Sequence, residues 1–312
     1  MEIINMENLF MQIIIFYGVL HTIVTLLTLF IRFICGNSVK IRVILLELLA
    51  STELCMLNYE IIGTIKLIQL TKFTSLFYIS ITLALLIFLR LYWVDIELSP
   101  NIMLEHMLIN KDIRFYGVLL IFAQILGDYL AFTFLPGIWS YFGLKRSLSC
   151  FSMFYKTDVA AAFAMEWLLT IVYRLSVYSL ANMSEELSKN WLTFILSTLL
   201  TFSRIAGFYL VGSFNNPALG ASLRFYCSGI DYHSLLVYWA APFCGSLCAL
   251  FLLRLCKQLA YYRTTGPGPD TRFYLRFEDI NYERSRHNNS LYIQQRFEHA
   301  RSWPINVPFR PR

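Results

Sequence analysis

Apolar residues run in long stretches separated by short polar breaks. Residues 8–31 hold no Asp, Glu, Lys or Arg across 24 positions. Stretches of spanning length lie at 9–33, 42–66, 73–94, 114–134, 158–180, 190–211 and 235–256. A helix needs about 20 mostly apolar residues to cross the hydrocarbon core. Backbone groups left unpaired in lipid are costly, so every span should be helical. The pattern predicts an all-α membrane protein. The first stretch is too long for the apolar region of a signal peptide, and Glu2 and Glu7 precede it instead of basic residues. It is expected to remain as an extra N-terminal transmembrane helix.

Two shorter elements break this rhythm. One starts at Ser99-Pro100-Asn101 and runs to about Leu108; the other starts at Asn216-Pro217-Ala218 and runs to about Cys227. Each begins with proline in the first turn, where the missing N–H costs no hydrogen bond. At half a span each, they read as half-helices entering the membrane from opposite faces.

The chain also repeats itself. Glu47 sits inside the second stretch with Ser51 four residues on; Glu166 sits inside the fifth with Thr170 four residues on. Glu47 precedes Pro100 by 53 residues, and Glu166 precedes Pro217 by 51. Helix, helix, half-helix, helix therefore occurs twice. Three spans per copy is an odd number, which requires the second copy to be inverted. An intramembrane glutamate is expensive and needs a fixed partner. The non-helical loop feeding each half-helix offers backbone N–H groups for it.

Composition supports a bilayer as solvent. Of 312 residues, 57% are hydrophobic and 15% charged, against about a quarter charged in soluble domains. A disordered chain, a nucleic-acid module and an ordinary soluble enzyme are excluded. The charge of +6 is uneven: ten basic and five acidic residues fall in 257–312, as do five of the nine prolines. That tail, beginning near Gly266-Pro267-Gly268-Pro269, is expected to be polar, solvated and cytosolic. Arg32, Lys40 and Arg42 fit the cytosolic side, whereas Lys145, Arg146 and Lys156 fall in a connection expected to be lumenal. The division is 1–40 (helix and basic loop), 41–256 (two repeats, 41–140 and 158–256) and 257–312 (tail). The seven cysteines form no CxxC pair and no metal spacing, and no acid–base or nucleophile constellation appears, so neither a metal, a cofactor nor an enzymatic activity is expected.

With these elements in place the sequence resembles the aquaporins, the major intrinsic protein family, over about 41–256. Phe214-Asn215-Asn216-Pro217-Ala218 resembles the second of the family's two Asn-Pro-Ala boxes, and Ala123-Gln124-Ile125-Leu126-Gly127 its third-helix motif. Tyr238-Trp239-Ala240-Ala241-Pro242-Phe243-Cys244-Gly245 is similar to its sixth-helix motif, and the Glu47 and Glu166 segments to its repeated Glu-x-x-x-Thr. Leu219 after the box in place of Arg, Cys227 nine residues beyond Ala218 and the degenerate first box resemble the unorthodox superaquaporin branch. The resemblance implies an aquaporin-like inverted repeat and a passive channel for water or small neutral solutes, with glycerol and hydrogen peroxide among the candidates. It also implies a homotetramer in lipid, in the endoplasmic reticulum or the plasma membrane.

In that design the half-helices meet N-terminus to N-terminus, their free N–H ends repelling cations. Asn216 keeps the box donor and also caps its helix; Ser99 offers a shorter, single donor, as a pore group or a cap, with Asn101 a candidate to supplement it. The counted alignment puts Ile79, Arg204, Ser213 and Leu219 in the selectivity filter. Arg204 falls where the family has His. It either restores the charge lost at Leu219, or it snorkels or pairs with a nearby acid such as Glu53. Cys227 is read as a packed thiol or a redox site. Gly127 and Gly245 are expected at close helix crossings. The competing reading is a non-conducting scaffold with the same fold. A seven-helix receptor accounts for the spans but not for the repeat or the two proline-led half-spans.

Overall fold

The computed structural model describes residues 6–35, 38–68, 81, 84–85, 89, 96–109, 113–141, 158–182, 189–211, 215–220 and 232–265. Among these no strand occurs. The elements are α1 (Met6–Cys35), α2 (Val39–Ile68), α3 (Pro100–Ile109), α4 (Arg114–Tyr141), α5 (Val159–Asn182) and α6 (Lys189–Val211). Residues 217–220 are helical, and the rest of the half-helix expected to run to about Cys227 lies outside the described residues. Last comes α7 (Tyr232–Leu235), which passes through a π-helical turn (Leu236–Ala240) into α8 (Ala241–Thr265). The π turn precedes Pro242, whose ring removes an N–H from the ladder; the Ala241 N–H reaches back to the Leu236 carbonyl instead. The helix ends where Gly266-Pro267 begins, nine residues beyond the expected span.

Four stretches of helix are long and apolar enough to cross a membrane: Met11–Cys35, Arg114–Tyr141, Val159–Leu180 and Tyr232–Cys256. α2 and α6 are 30 and 23 residues long; α6 is apolar over Trp191–Ser203, whereas charged side chains interrupt α2. In α2 these are Glu47, Glu53 and Glu60, each fully buried. The expected span at 73–94 lies almost wholly outside the described residues; 81, 84, 85 and 89 within it are helical.

Packing follows the repeat. α2 lies on α4, and α5 on α8. Gly127 sits where a Cβ would overlap the Leu48 carbonyl oxygen and stand 3.0 Å from Ser51 Cβ. A Cβ on Gly245 would stand 2.8 Å from the Trp167 oxygen and 2.9 Å from Thr170 Cβ. Leu48 and Trp167 each follow the repeat glutamate, so the two crossings are equivalent. The absence of a side chain lets the backbones touch. Thr52 Oγ1 then donates to the Gly127 carbonyl at 3.0 Å. Leu54, Ala50, Leu135, Tyr173 and Tyr238 lie at the centre of the main core. Phe115, Phe122 and Phe134 of α4 and Phe30 and Phe33 of α1 stay exposed, as surfaces facing lipid do.

The extra helix α1 packs on α2 through Phe16, Leu20 and Val24. His21 Nδ1 lies 2.8 Å from Glu53 Oε1, and Thr25 Oγ1 is 3.4 Å from the other ring nitrogen. A buried glutamate thus gives α1 a fixed angular position that apolar packing alone does not supply. His21→Leu should lower stability by about 1–2 kcal/mol, measured as a fall in thermal midpoint of the detergent-solubilised protein. An unchanged midpoint would mean that the apolar face alone seats α1.

Candidate functional site: two half-helix starts that meet

Each re-entrant loop is built around its repeat glutamate. Glu47 Oε1 accepts from the N–H groups of Glu97 and Leu98 at 3.2 and 3.1 Å and from Gln124 Nε2 at 2.5 Å. Glu166 Oε1 accepts from the Asn215 N–H at 2.8 Å. Two residues before each proline the backbone is left-handed, with φ 59° at Leu98 and 52° at Asn215. Asparagine tolerates that region; leucine is strained there. The carboxylate hydrogen bonds to Leu98 N and its neighbour oppose that strain.

Both loops then enter a helix in the same way. The Met103 N–H donates to the Ser99 carbonyl at 3.2 Å, and the Gly220 N–H to the Asn216 carbonyl at 3.0 Å. Asn216 Oδ1 caps its own turn, accepting from Ala218 N at 3.1 Å and Leu219 N at 3.4 Å. Its Nδ2 donates across to the Leu98 carbonyl at 2.6 Å. The starts of the two helical segments are therefore within one hydrogen bond of each other, and the positive ends of their dipoles share a polar centre. Pro100, Ser99, Asn101, Asn216 and Ala218 are all buried there.

The first box differs from the second. Ser99 Oγ donates to Asn101 Oδ1, and Asn101 Nδ2 donates to Ser246 Oγ of α8 at 2.8 Å. Asn101 is thus committed to the protein rather than turned into a lumen in place of an asparagine at position 99. Leu219 is 1% exposed and belongs to the main core. Gly220 lies so close to Tyr238 that a Cβ would come within 2.9 Å of Tyr238 Cβ, which places the sixth-helix motif against the second half-helix start. Arg204 lies in α6. Its side chain, together with Ile79, Ser213 and Cys227, lies outside the described residues.

Several residues at this centre carried no readable signal. Asn215 precedes the box, yet its Nδ2 donates to Ser203 Oγ of α6, and Thr170 Oγ1 donates to its Oδ1 at 3.3 Å. Ser246 and Ser203 are ordinary small polar residues on long apolar helices. Only the tertiary arrangement gives them partners. The hydroxyl four residues after Glu166 was a legible signal; its acceptor was not.

Comparison with known proteins agrees with this geometry. The family model described as major intrinsic protein matches residues 22–253, from within α1 to within α8. Aquaporin-11 of Rattus norvegicus and aquaporin-11 of Mus musculus are each 24% identical over 222 residues, covering 68% of this chain and 78% of theirs. Aquaporin-11 of Equus caballus is 26% identical over 155 residues, 48% of this chain and 55% of its own. An all-helical membrane protein with paired glutamate-held loops and a family match over most of its length belongs to the major intrinsic protein family, the aquaporin channels.

Proposed function

We propose that this protein is a passive channel for water or small neutral solutes, glycerol and hydrogen peroxide among them, acting as a homotetramer in an intracellular or plasma membrane with its C-terminus in the cytosol. The pore runs past Ser99-Pro100-Asn101 and Asn216-Pro217-Ala218, and Ile79, Arg204, Ser213 and Leu219 form its filter. The observation that carries this reading is Asn216. Its oxygen caps the helical turn and one amide hydrogen goes to the Leu98 carbonyl. Among the described residues the other amide hydrogen has no acceptor, which suits a donor to a passing solute. The paired N-terminal ends add a positive potential that disfavours cations. The aquaporin-11 relatives support the superaquaporin resemblance.

A second reading, a non-conducting scaffold, is favoured by the first box. There Ser99 spends its donor on Asn101 and Asn101 one of its own on Ser246, and an apolar Leu219 in the filter can dewet a narrow passage. Swelling of vesicles containing the purified protein, in gradients of sorbitol, glycerol and peroxide, separates the two. The channel reading expects faster volume change than in empty vesicles. It also expects a fall of about tenfold in Asn216→Leu, the equivalent of one lost hydrogen bond at the barrier. Rates equal to those of empty vesicles would establish the scaffold.

A further inference from the structure

Half-helix α3 carries a glutamate that the two-box design does not use. Glu105, one turn beyond Asn101, is fully buried. Arg174 of α5, itself 4% exposed, grips it: Nε donates to Oε1 at 2.8 Å and to Oε2 at 3.1 Å, and Nη2 donates to Oε2 as well. Tyr178, one turn further along α5, donates its hydroxyl to the same oxygen, and its ring lies 5.0 Å from the Arg174 guanidinium. A planar guanidinium held at two points by one carboxylate fixes orientation as well as distance. The partners stand 69 residues apart, in different repeats.

The residue pair is not repeated in the sequence: Glu105 lies five residues after Pro100, whereas Ser222 lies five after Pro217. Arg174 lies eight residues after Glu166, and eight residues after Glu47 stands Cys55. Cys55 carries no charge, and its thiol donates to the Asp128 carbonyl at 3.6 Å. The bridge therefore serves the half-helix whose box has Ser99 in place of asparagine. That half-helix also presents Leu98, strained at φ 59°, whose carbonyl receives Asn216. A helix of ten residues behaves as one rigid unit, so anchoring it at Glu105 fixes where its start stands.

We propose that Glu105 is a positioning residue of the pore: its ion pair with Arg174, completed by Tyr178, seats α3 against the second repeat and so holds Leu98 and Ser99 opposite Asn216. The transport part of this proposal rests on the channel reading; the seating of α3 does not. Arg174→Leu alone leaves a buried unpaired charge and can prevent folding. The test is therefore the paired change Glu105→Leu/Arg174→Leu, which leaves no charge behind, with Arg174→Lys as the variant that keeps charge but not the fork.

The full-length protein is compared by amide exchange in detergent and by vesicle swelling. Seating predicts that exchange over residues 97–109 in the paired variant quickens by about tenfold, while α4 and α8 keep their protection. It also predicts a change in the glycerol-to-water permeability ratio, with Arg174→Lys falling between wild type and the paired variant. Wild-type exchange at 97–109 would overturn the proposal. So would quickened exchange with an unaltered permeability ratio in a conducting protein, since the bridge would then be structural only. A wild-type protein that conducts nothing would instead refute the channel reading, and the exchange result alone would decide the seating of α3.

Discussion

A Glu47→Leu protein loses the fold of its first re-entrant loop. The substitution leaves the Glu97 and Leu98 N–H groups and the Gln124 amide without the oxygen that accepts all three. Each orphaned buried donor costs about 1–3 kcal/mol, and Leu98 is left in a left-handed conformation without the carboxylate that opposes its strain. The expected loss is about 3–5 kcal/mol of stability, read as a collapse of the thermal midpoint and of amide protection over 97–109. Glu47→Gln keeps a carbonyl acceptor and should lose about a third as much. Equal effects of the two substitutions would show that charge, rather than the acceptor position, holds the loop.

Gly127→Val and Gly245→Val should each separate a helix pair. At Gly127 the new Cβ overlaps the Leu48 carbonyl, and at Gly245 it stands 2.8 Å from that of Trp167. Both obstacles are backbone, which a rotamer change cannot move aside. Overpacking of this kind costs about 1–3 kcal/mol, occasionally more. Here the shift passes directly to Glu47 or Glu166, one residue earlier. Solute flux should therefore fall further than stability does. Gly137 supplies the control, because a Cβ there meets nothing within 4 Å. Gly137→Ala should be neutral or stabilising by up to about 1 kcal/mol. If all three substitutions shift the thermal midpoint alike, close approach is not what the two motif glycines provide.

The parts of this arrangement that were legible in the sequence are those with rare residues in local settings. A proline at the first turn of a half-span, a glutamate in an apolar run and a glycine followed by a repeat partner are each unusual enough to signal their own purpose. Glu47 and Glu166 could be paired because they recur at matching distances from Pro100 and Pro217. Asn101, Glu105 and His21 could not be read so. Each is an ordinary polar residue whose partner lies 145, 69 or 32 residues away, and neither periodicity nor spacing chooses among distant acceptors. Glu53 illustrates the difficulty: the sequence named it as an acid within reach of Arg204 but gave no sign of His21, which the structure seats beside it; the Arg204 side chain lies outside the described residues. α2 was recognisable as a span because of its length, even though three buried glutamates lower its apolar character.

The ties that seat α3 also bear on how the chain is made. Asn101 waits for Ser246, 145 residues further along. At about 5–20 residues per second that is a delay of roughly 7–30 s on the ribosome. Glu105 precedes Arg174 by 69 residues and so waits about half as long. During that interval the first half-helix can rest on α4 of its own repeat but lacks its second-repeat partners, and it carries an acidic side chain that lipid does not accept. The N-terminal half of this protein is therefore a client that must be kept at the membrane surface or in the insertion machinery until its own C-terminal half arrives.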